Sequence, residues 1–93
     1  MQAQFFGSIG EAAGKSRDET KLRPGATVRG LLNELTDACG ESFREELFGE
    51  SDGLRDDVTV TVNGAIIKHG DIDKIGLKPG DVIAFFPIFP GGG

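Results

Sequence analysis

Short runs in which hydrophobic and polar residues alternate predict most of the regular structure of this chain. Such alternation, with a period of two, places successive side chains on opposite faces of a β-strand. In the clearest run valine alternates with threonine, and the dipeptide that follows it, Asn63-Gly64, is the strongest short signal for a β-hairpin turn. The predicted strands are residues 2–7, 18–22, 58–62, 65–67 and 82–86.

One segment, residues 28–39, instead has the spacing of an amphipathic helix. Its apolar side chains recur at the helical period, which places them on one face. Thr27 precedes the segment as a suitable N-cap, and Gly40 follows it as a stop signal. Shorter helical segments are predicted at residues 11–13 and 43–47, and loops at residues 49–57 and 71–77.

The order of these elements predicts the fold class. Two strands precede the main helix and three follow it, and one helix covers only one face of a sheet. The first and last strands can pair in parallel if the middle of the chain crosses over between them. We therefore predict an α+β, β-grasp (ubiquitin-like) fold, a mixed five-stranded sheet with one main helix on one face. This domain would span residues 1–87, with residues 88–93 as a flexible tail.

Adjacent phenylalanines occur in both the first and the last predicted strand, as Phe5-Phe6 and Phe85-Phe86. Because neighbours on a strand point to opposite faces, one ring of each pair belongs to the core and the other to the open face. The outward rings would form an apolar patch beside the tail, together with Pro87, Ile88 and Phe89. Such a patch favours a docking surface for a partner. The alternative is that a loop or the tail itself covers it.

Composition and charge exclude several classes of function. The 93 residues carry a net charge of −5 and their basic residues are scattered, which argues against nucleic acid as the main partner. No run is apolar enough to span a membrane, and the N-terminus lacks a signal-peptide pattern, so we expect a cytoplasmic protein. One cysteine and one histidine leave no plausible zinc or iron–sulfur site. We expect Cys39 to be a buried thiol and His69 to be solvated.

Three glycines, Gly91, Gly92 and Gly93, end the chain after its last strand. Because glycine has no Cβ, such a tail is thin enough to carry the terminal carboxylate of Gly93 through a narrow channel into another protein's active site. That carboxylate is ionised at neutral pH and is a poor electrophile until it is activated, for instance as an acyl-adenylate. The chain has no nucleotide-binding glycine loop, so a separate enzyme would activate it. Composition alone is equally compatible with an inert tail.

An ordered set of motifs resembles one known family along nearly the whole chain. The matching segments are Phe-Phe at residues 5–6, Glu-Ala-Ala-Gly-Lys at 11–15, Pro-Gly-Ala-Thr-Val at 24–28, Leu-Arg-Asp-Asp-Val at 54–58, Val-Asn-Gly at 62–64, Pro-Gly-Asp at 79–81 and Ala-Phe-Phe-Pro at 84–87. The chain thus resembles the ubiquitin-like sulfur carriers, which include the small subunit of molybdopterin synthase, the thiamine-pathway sulfur carrier and the archaeal ubiquitin-like small modifier proteins. It departs from their usual ending, since a third glycine follows the diglycine.

The resemblance implies a role as a substrate or carrier rather than an enzyme. A ubiquitin-activating-type enzyme would adenylate Gly93 with ATP and magnesium, while the chain itself would bind no cofactor. The product would be a thiocarboxylate for molybdopterin or tRNA thiolation, an isopeptide bond to target lysines, or both. Outward-facing Phe6 and Phe86 would contact the activating enzyme, a molybdopterin-synthase large subunit or target proteins. The alternative function is a non-covalent β-grasp interaction domain with an inert tail.

Overall fold

The computed structural model describes residues 1–49 and 53–87. Nine elements of regular structure lie in these ranges, and they fall in the order expected for the predicted fold. They are β1 (Gln2–Phe5), α1 (Gly7–Ala13), β2 (Arg17–Glu19), α2 (Val28–Cys39), α3 (Glu41–Leu47), β3 (Thr59–Val62), β4 (Ala65–Ile66), a 3₁₀ turn (His69–Asp71) and β5 (Val82–Phe86).

A single five-stranded sheet with the strand order β2-β1-β5-β3-β4 forms the frame of the molecule. The first and last strands are neighbours and run parallel, with Phe5 paired to Phe85, while the other neighbouring pairs are antiparallel. A parallel pair requires a crossover, and the segment from β2 through α2 and α3 to the β3–β4 hairpin supplies it. The predicted mixed-sheet β-grasp fold is therefore confirmed.

The hydrophobic core joins one face of this sheet to the helices. Phe5 is its aromatic centre: its ring meets the edge of Phe43 from α3 at 5.5 Å between centroids and stacks on Phe85 at 5.7 Å. Such pairs contribute about 0.5–1.5 kcal/mol beyond the area that they bury. The largest fully buried side chains are Phe43, Phe85, Ile9, Leu31, Leu32, Leu47, Ile72, Ile83, Val28, Val58 and Val60.

The main helix begins and ends where the sequence predicts. The Thr27 side chain accepts a hydrogen bond of 3.2 Å from the backbone N–H of Gly30, which satisfies one of the free donors in the first turn. At the other end Gly40 has φ +93° and ψ −172°, a backbone conformation that essentially only glycine adopts. Gly40 also begins α3, so the same residue separates the two helices.

Two elements near the N-terminus differ from the prediction. Strand β1 stops at Phe5 rather than at residue 7, because Gly7 already begins α1. Helix α1 spans two turns instead of the single predicted turn, with Ile9 buried and Ser8 donating a 3.2 Å hydrogen bond to Glu46 of α3. Two glycines lie inside this helix and a third, Gly14, is its C-cap. Because glycine disfavours helix formation, the helix depends on its tertiary packing for stability.

The second strand is shifted from residues 18–22 to Arg17–Glu19. Its register with β1 is set by Gln2 opposite Glu19, and the pairing ends because β1 begins there. The returning strand β4 is also shorter than predicted and comprises only two residues.

Cys39 and His69 occupy different environments from those predicted. His69 was expected to be solvated, but it is half-buried and its Nε2 lies 2.6 Å from the carbonyl oxygen of Val58. A carbonyl only accepts, so His69 is the donor in this contact. Cys39 was expected to be buried, but it is half-buried at the rim of the core, because α2 ends at this residue.

Replacing Gly30, inside α2, and Gly40, at its C-cap, with alanine should change the stability of the protein in opposite directions. At Gly30 a Cβ would meet only Thr27 Oγ1, at 3.6 Å, so Gly30→Ala should raise the free energy of unfolding by about 0.5–1 kcal/mol. Gly40→Ala should lower it by about 1–3 kcal/mol, because the backbone there suits only glycine. Urea denaturation followed by circular dichroism measures both, and equal effects of the two changes would contradict the described helix boundary.

Candidate functional site: an aromatic pair at the tail exit

The open face of the sheet carries one ring from each phenylalanine pair. Phe5 and Phe85 are buried, whereas 42% of Phe6 is exposed and Phe86 is half-buried. This division follows from the alternation of side chains along each strand. The structure therefore confirms that each pair has a core ring and a surface ring, and that Phe6 and Phe86 are the surface rings.

Phe6 and Phe86 form a stacked pair. Their ring centroids are 4.5 Å apart and the ring planes differ by 9°. The parallel pairing of β1 with β5 sets this distance, since Phe5 lies opposite Phe85, and Phe6 follows β1 with an extended backbone while Phe86 is the last residue of β5. The backbone N–H of Phe6 also donates to the carbonyl of Phe85 at 3.1 Å. The sheet thus holds a flat aromatic surface in place before any partner binds.

Mostly small or polar side chains surround this aromatic pair. Gln4 and Ala84 form the next register pair on the same face, two residues before Phe6 and Phe86, and Thr59 lies opposite Phe86 on β3. A second apolar side chain on this face, Ile66 on the edge strand β4, is 61% exposed. It borders a shallow groove of about 310 Å³ that Thr59 and Lys68 also line. Among the described residues, no side chain fully covers the aromatic pair or Ile66.

The C-terminal segment leaves the sheet directly beside the aromatic pair. Pro87 follows the last residue of β5 and is half-buried. A Cβ placed on Gly7, which has φ +56°, would lie only 2.9 Å from Pro87 Cγ. Close contact between the Gly7 backbone and the proline ring therefore helps to set the direction in which the chain leaves β5.

The remaining predicted site residues are Ile88, Phe89, Gly91, Gly92 and Gly93, and they lie outside the described residues. Their roles stay predictions. Within residues 1–49 and 53–87, no three His, Cys, Asp or Glu side chains are grouped as a metal site would need. None of the helices in these ranges is long and apolar enough to cross a membrane.

Comparison with protein families agrees with this architecture. The family model described as the ThiS family matches residues 3–92, which is almost the entire chain. The chain belongs to the ThiS family. This membership confirms the resemblance to ubiquitin-like sulfur carriers and modifiers that the sequence motifs indicated. No curated protein sequence matches the chain.

Solved structures of archaeal proteins extend the likeness to three dimensions. SAMP1 from Haloferax volcanii is 27% identical in sequence and has a TM-score of 0.79. The match covers 98% of the present chain and 97% of SAMP1. A putative molybdopterin converting factor, subunit 1, from Pyrococcus furiosus is 35% identical, with a TM-score of 0.73 over 94% of each chain. The solution structure of the Haloferax volcanii HVO 2177 protein is 26% identical, with a TM-score of 0.78 over 98% of this chain and 84% of that one.

Alanine substitutions within one phenylalanine pair test the surface assignment. Phe5→Ala should lower the free energy of unfolding by about 3–5 kcal/mol, because it leaves a cavity in the core. Phe6→Ala should lower it by about 1 kcal/mol or less, because the lost contact is one partly exposed stack. Urea denaturation of both variants measures the difference. Similar losses would place Phe6 in the core and remove the candidate surface.

Proposed function

We propose that this ThiS-family chain is a ubiquitin-like carrier whose C-terminal glycine, Gly93, is activated by an ATP-dependent adenylating enzyme. The observation that carries the proposal is the exposed Phe6–Phe86 stack, held rigidly at the point where the chain leaves β5 toward a tail ending in three glycines. An apolar surface beside a thin tail suits a partner that must grip the domain while it acts on the chain end.

The proposed reaction starts at the carboxylate of Gly93. One carboxylate oxygen attacks the α-phosphorus of ATP, held with magnesium in the activating enzyme, and pyrophosphate leaves to give an acyl-adenylate. Hydrosulfide then attacks the acyl carbon, forming a C–S bond as the bond to AMP breaks; AMP leaves, and loss of the sulfur-bound proton gives the thiocarboxylate. Alternatively a lysine amine of a target protein displaces the activated acyl group and forms an isopeptide bond. The chain supplies the acyl group in both routes and the partner supplies the catalytic residues.

Two acceptors remain within this proposal because two kinds of relative support them. One similar structure is named as a molybdopterin converting factor subunit, which favours sulfur transfer with a molybdopterin-synthase large subunit as partner. Another is named SAMP1, and a second structure of that protein is titled small archaeal modifier protein 1, which favours conjugation to target proteins. The chain's own identity to both groups is modest, so we propose a carrier competent for either acceptor.

The aromatic pair is the proposed contact for the activating enzyme and the large subunit. Stacked Phe6 and Phe86 present apolar area without further ordering, since the sheet register already fixes both rings. Pre-organised aromatic anchors are typical of the residues that dominate binding energy at protein interfaces. Pro87 would keep the following residues directed away from the core toward the partner's channel.

Mass spectrometry of the intact chain tests activation and sulfur transfer. After incubation with the adenylating enzyme, ATP, magnesium and sulfide, the chain should gain about 16 Da as oxygen is replaced by sulfur. A chain without Gly92 and Gly93 should fold normally and gain nothing. If the full chain stays unchanged with its own organism's adenylating enzyme, the carrier proposal fails. Peptide mapping for glycine remnants on lysines tests the conjugation route separately.

Binding measurements with matched variants test the docking surface. Phe86→Ala should raise the Kd for the adenylating enzyme about tenfold or more, because removing an interface anchor typically costs at least 1.4 kcal/mol. Ile66→Ala is the matched control, since Ile66 is also exposed on this face but lies on the edge strand β4, two strands away from β5. It should change the Kd less than about threefold. Equal effects of the two variants would show that the aromatic pair has no special role.

A further inference from the structure

The Asn63-Gly64 turn of the β3–β4 hairpin is clamped to the start of β5 by a closed set of hydrogen bonds. The Asn63 side-chain Nδ2 donates to Asp81 Oδ1 at 2.9 Å, and its Oδ1 accepts from the backbone N–H of Val82 at 2.9 Å. The backbone N–H of Asn63 donates to the carbonyl of Val82 at 2.8 Å. Asp81 Oδ2 in turn accepts from the backbone N–H of Lys78 at 2.8 Å. Both ends of the Asn63 amide are therefore occupied.

Asparagine followed by glycine is chemically the most reactive setting for this side chain, because glycine leaves the following backbone nitrogen unhindered. The Gly64 nitrogen can attack Asn63 Cγ and form a new C–N bond. The bond from Cγ to Nδ2 then breaks, and ammonia leaves with the proton that the Gly64 nitrogen loses. Water opens the resulting succinimide to aspartate or isoaspartate. The net change consumes one water and releases one ammonia, with no oxidant or reductant.

We propose that Asn63 is a deamidation site whose reaction is suppressed in the folded protein by the clamp with Asp81 and Val82. Attack by Gly64 requires the Asn63 side chain to rotate so that Cγ faces that nitrogen. Rotation breaks the bonds at both Nδ2 and Oδ1, and one of these bonds is to an ionised carboxylate, which makes it stronger than a neutral hydrogen bond. The clamp therefore adds to the barrier for succinimide formation.

The ionisation of the Asp81 carboxyl group supports this proposal. Hydrogen bonds from the Asn63 side chain and from the Lys78 backbone lower the pKa of the Asp81 carboxyl from its usual value. The carboxylate is thus ionised at neutral pH and is a full acceptor for the Asn63 amide. Asn63 also has φ +52°, the left-handed conformation that a two-residue hairpin turn requires.

Deamidation would convert the clamp into a repulsive contact. The new carboxylate at position 63 would occupy the place of the donor, 2.9 Å from Asp81 Oδ1, where two negative groups and no proton donor would meet. The bond from Val82 to the side chain would remain for an aspartate, whereas an isoaspartate would lengthen the backbone within the turn. The modification would therefore weaken the junction between the hairpin and β5. The clamp is at the start of β5, whereas Phe86 is the last residue of that strand. The proposed modification is therefore independent of the proposed carrier chemistry.

Deamidation rates of the full chain test the proposal. Folded wild type, Asp81→Ala and wild type unfolded in urea are incubated at mildly alkaline pH, and peptide mapping follows the mass gain of about 1 Da at residue 63. The unfolded chain and Asp81→Ala should deamidate about tenfold faster or more than the folded wild type, because the variant loses a charge-assisted hydrogen bond. If the folded wild type reacts as fast as the unfolded chain, or if folded Asp81→Ala reacts as slowly as wild type, the proposal is wrong.

Asn33, the only other asparagine, provides an internal control that does not depend on the variant folding. It is exposed on α2 and precedes glutamate rather than glycine. In the folded wild type, side-chain amide protons of Asn63 should exchange with water at least about tenfold more slowly than those of Asn33, as followed by nuclear magnetic resonance. Equal exchange rates would show that no clamp exists and would overturn the proposal.

Discussion

The parallel pairing of β1 with β5 is the constraint on which the rest of the molecule depends. It brings the beginning and the end of the chain to adjacent central strands, so the β3–β4 hairpin must lie on one side of the sheet and β2 on the other. The same register places Phe5 on Phe85 inside the core and Phe6 on Phe86 outside it. One set of backbone hydrogen bonds therefore fixes both the centre of the core and the shape of the candidate docking surface.

This arrangement separates the residues that stabilise the domain from the proposed docking surface. The buried rings, with Phe43 and the apolar faces of the helices, stabilise the domain from one side of the sheet. The exposed rings contribute little to that core and lie on the open face, next to Pro87 at the end of β5. A carrier of the proposed kind has to stay folded while another protein reacts with its end. Such a division of the sheet into a packed and an open face meets both demands, and it also explains why adjacent phenylalanines occur twice.

Much of this design could be predicted from the sequence because it depends on short-range patterns. Alternation in residues 58–62, the Asn63-Gly64 turn and the Thr27 cap each identify a local element, and the two phenylalanine pairs identify the two faces of the sheet. The extent of α1 could not be predicted in this way. Its helix depends on Ile9 entering the core and on a contact between Ser8 and Glu46, whereas its glycines oppose helix formation.

Contacts between distant residues were likewise beyond prediction from local patterns. The shift of β2 to Arg17–Glu19 follows from where β1 begins, and the environment of His69 follows from its contact with the Val58 carbonyl. The candidate surface was predictable down to its two rings, since the family resemblance assigned Phe6 and Phe86 to the outside. The clamp between Asn63 and Asp81 gave no signal in the sequence, because an exposed Asn and a half-buried Asp eighteen positions apart become neighbours only through the pairing of β3 with β5.

Exchange of radiolabelled pyrophosphate into ATP tests the central claim most directly, because it detects formation of the acyl-adenylate and needs no knowledge of the final acceptor. With the adenylating enzyme of the same organism, exchange should depend on the presence of this chain and should disappear when Gly92 and Gly93 are removed. Exchange that is unaffected by that removal, or its complete absence with the intact folded chain, would contradict the account of Gly93 as the activated end.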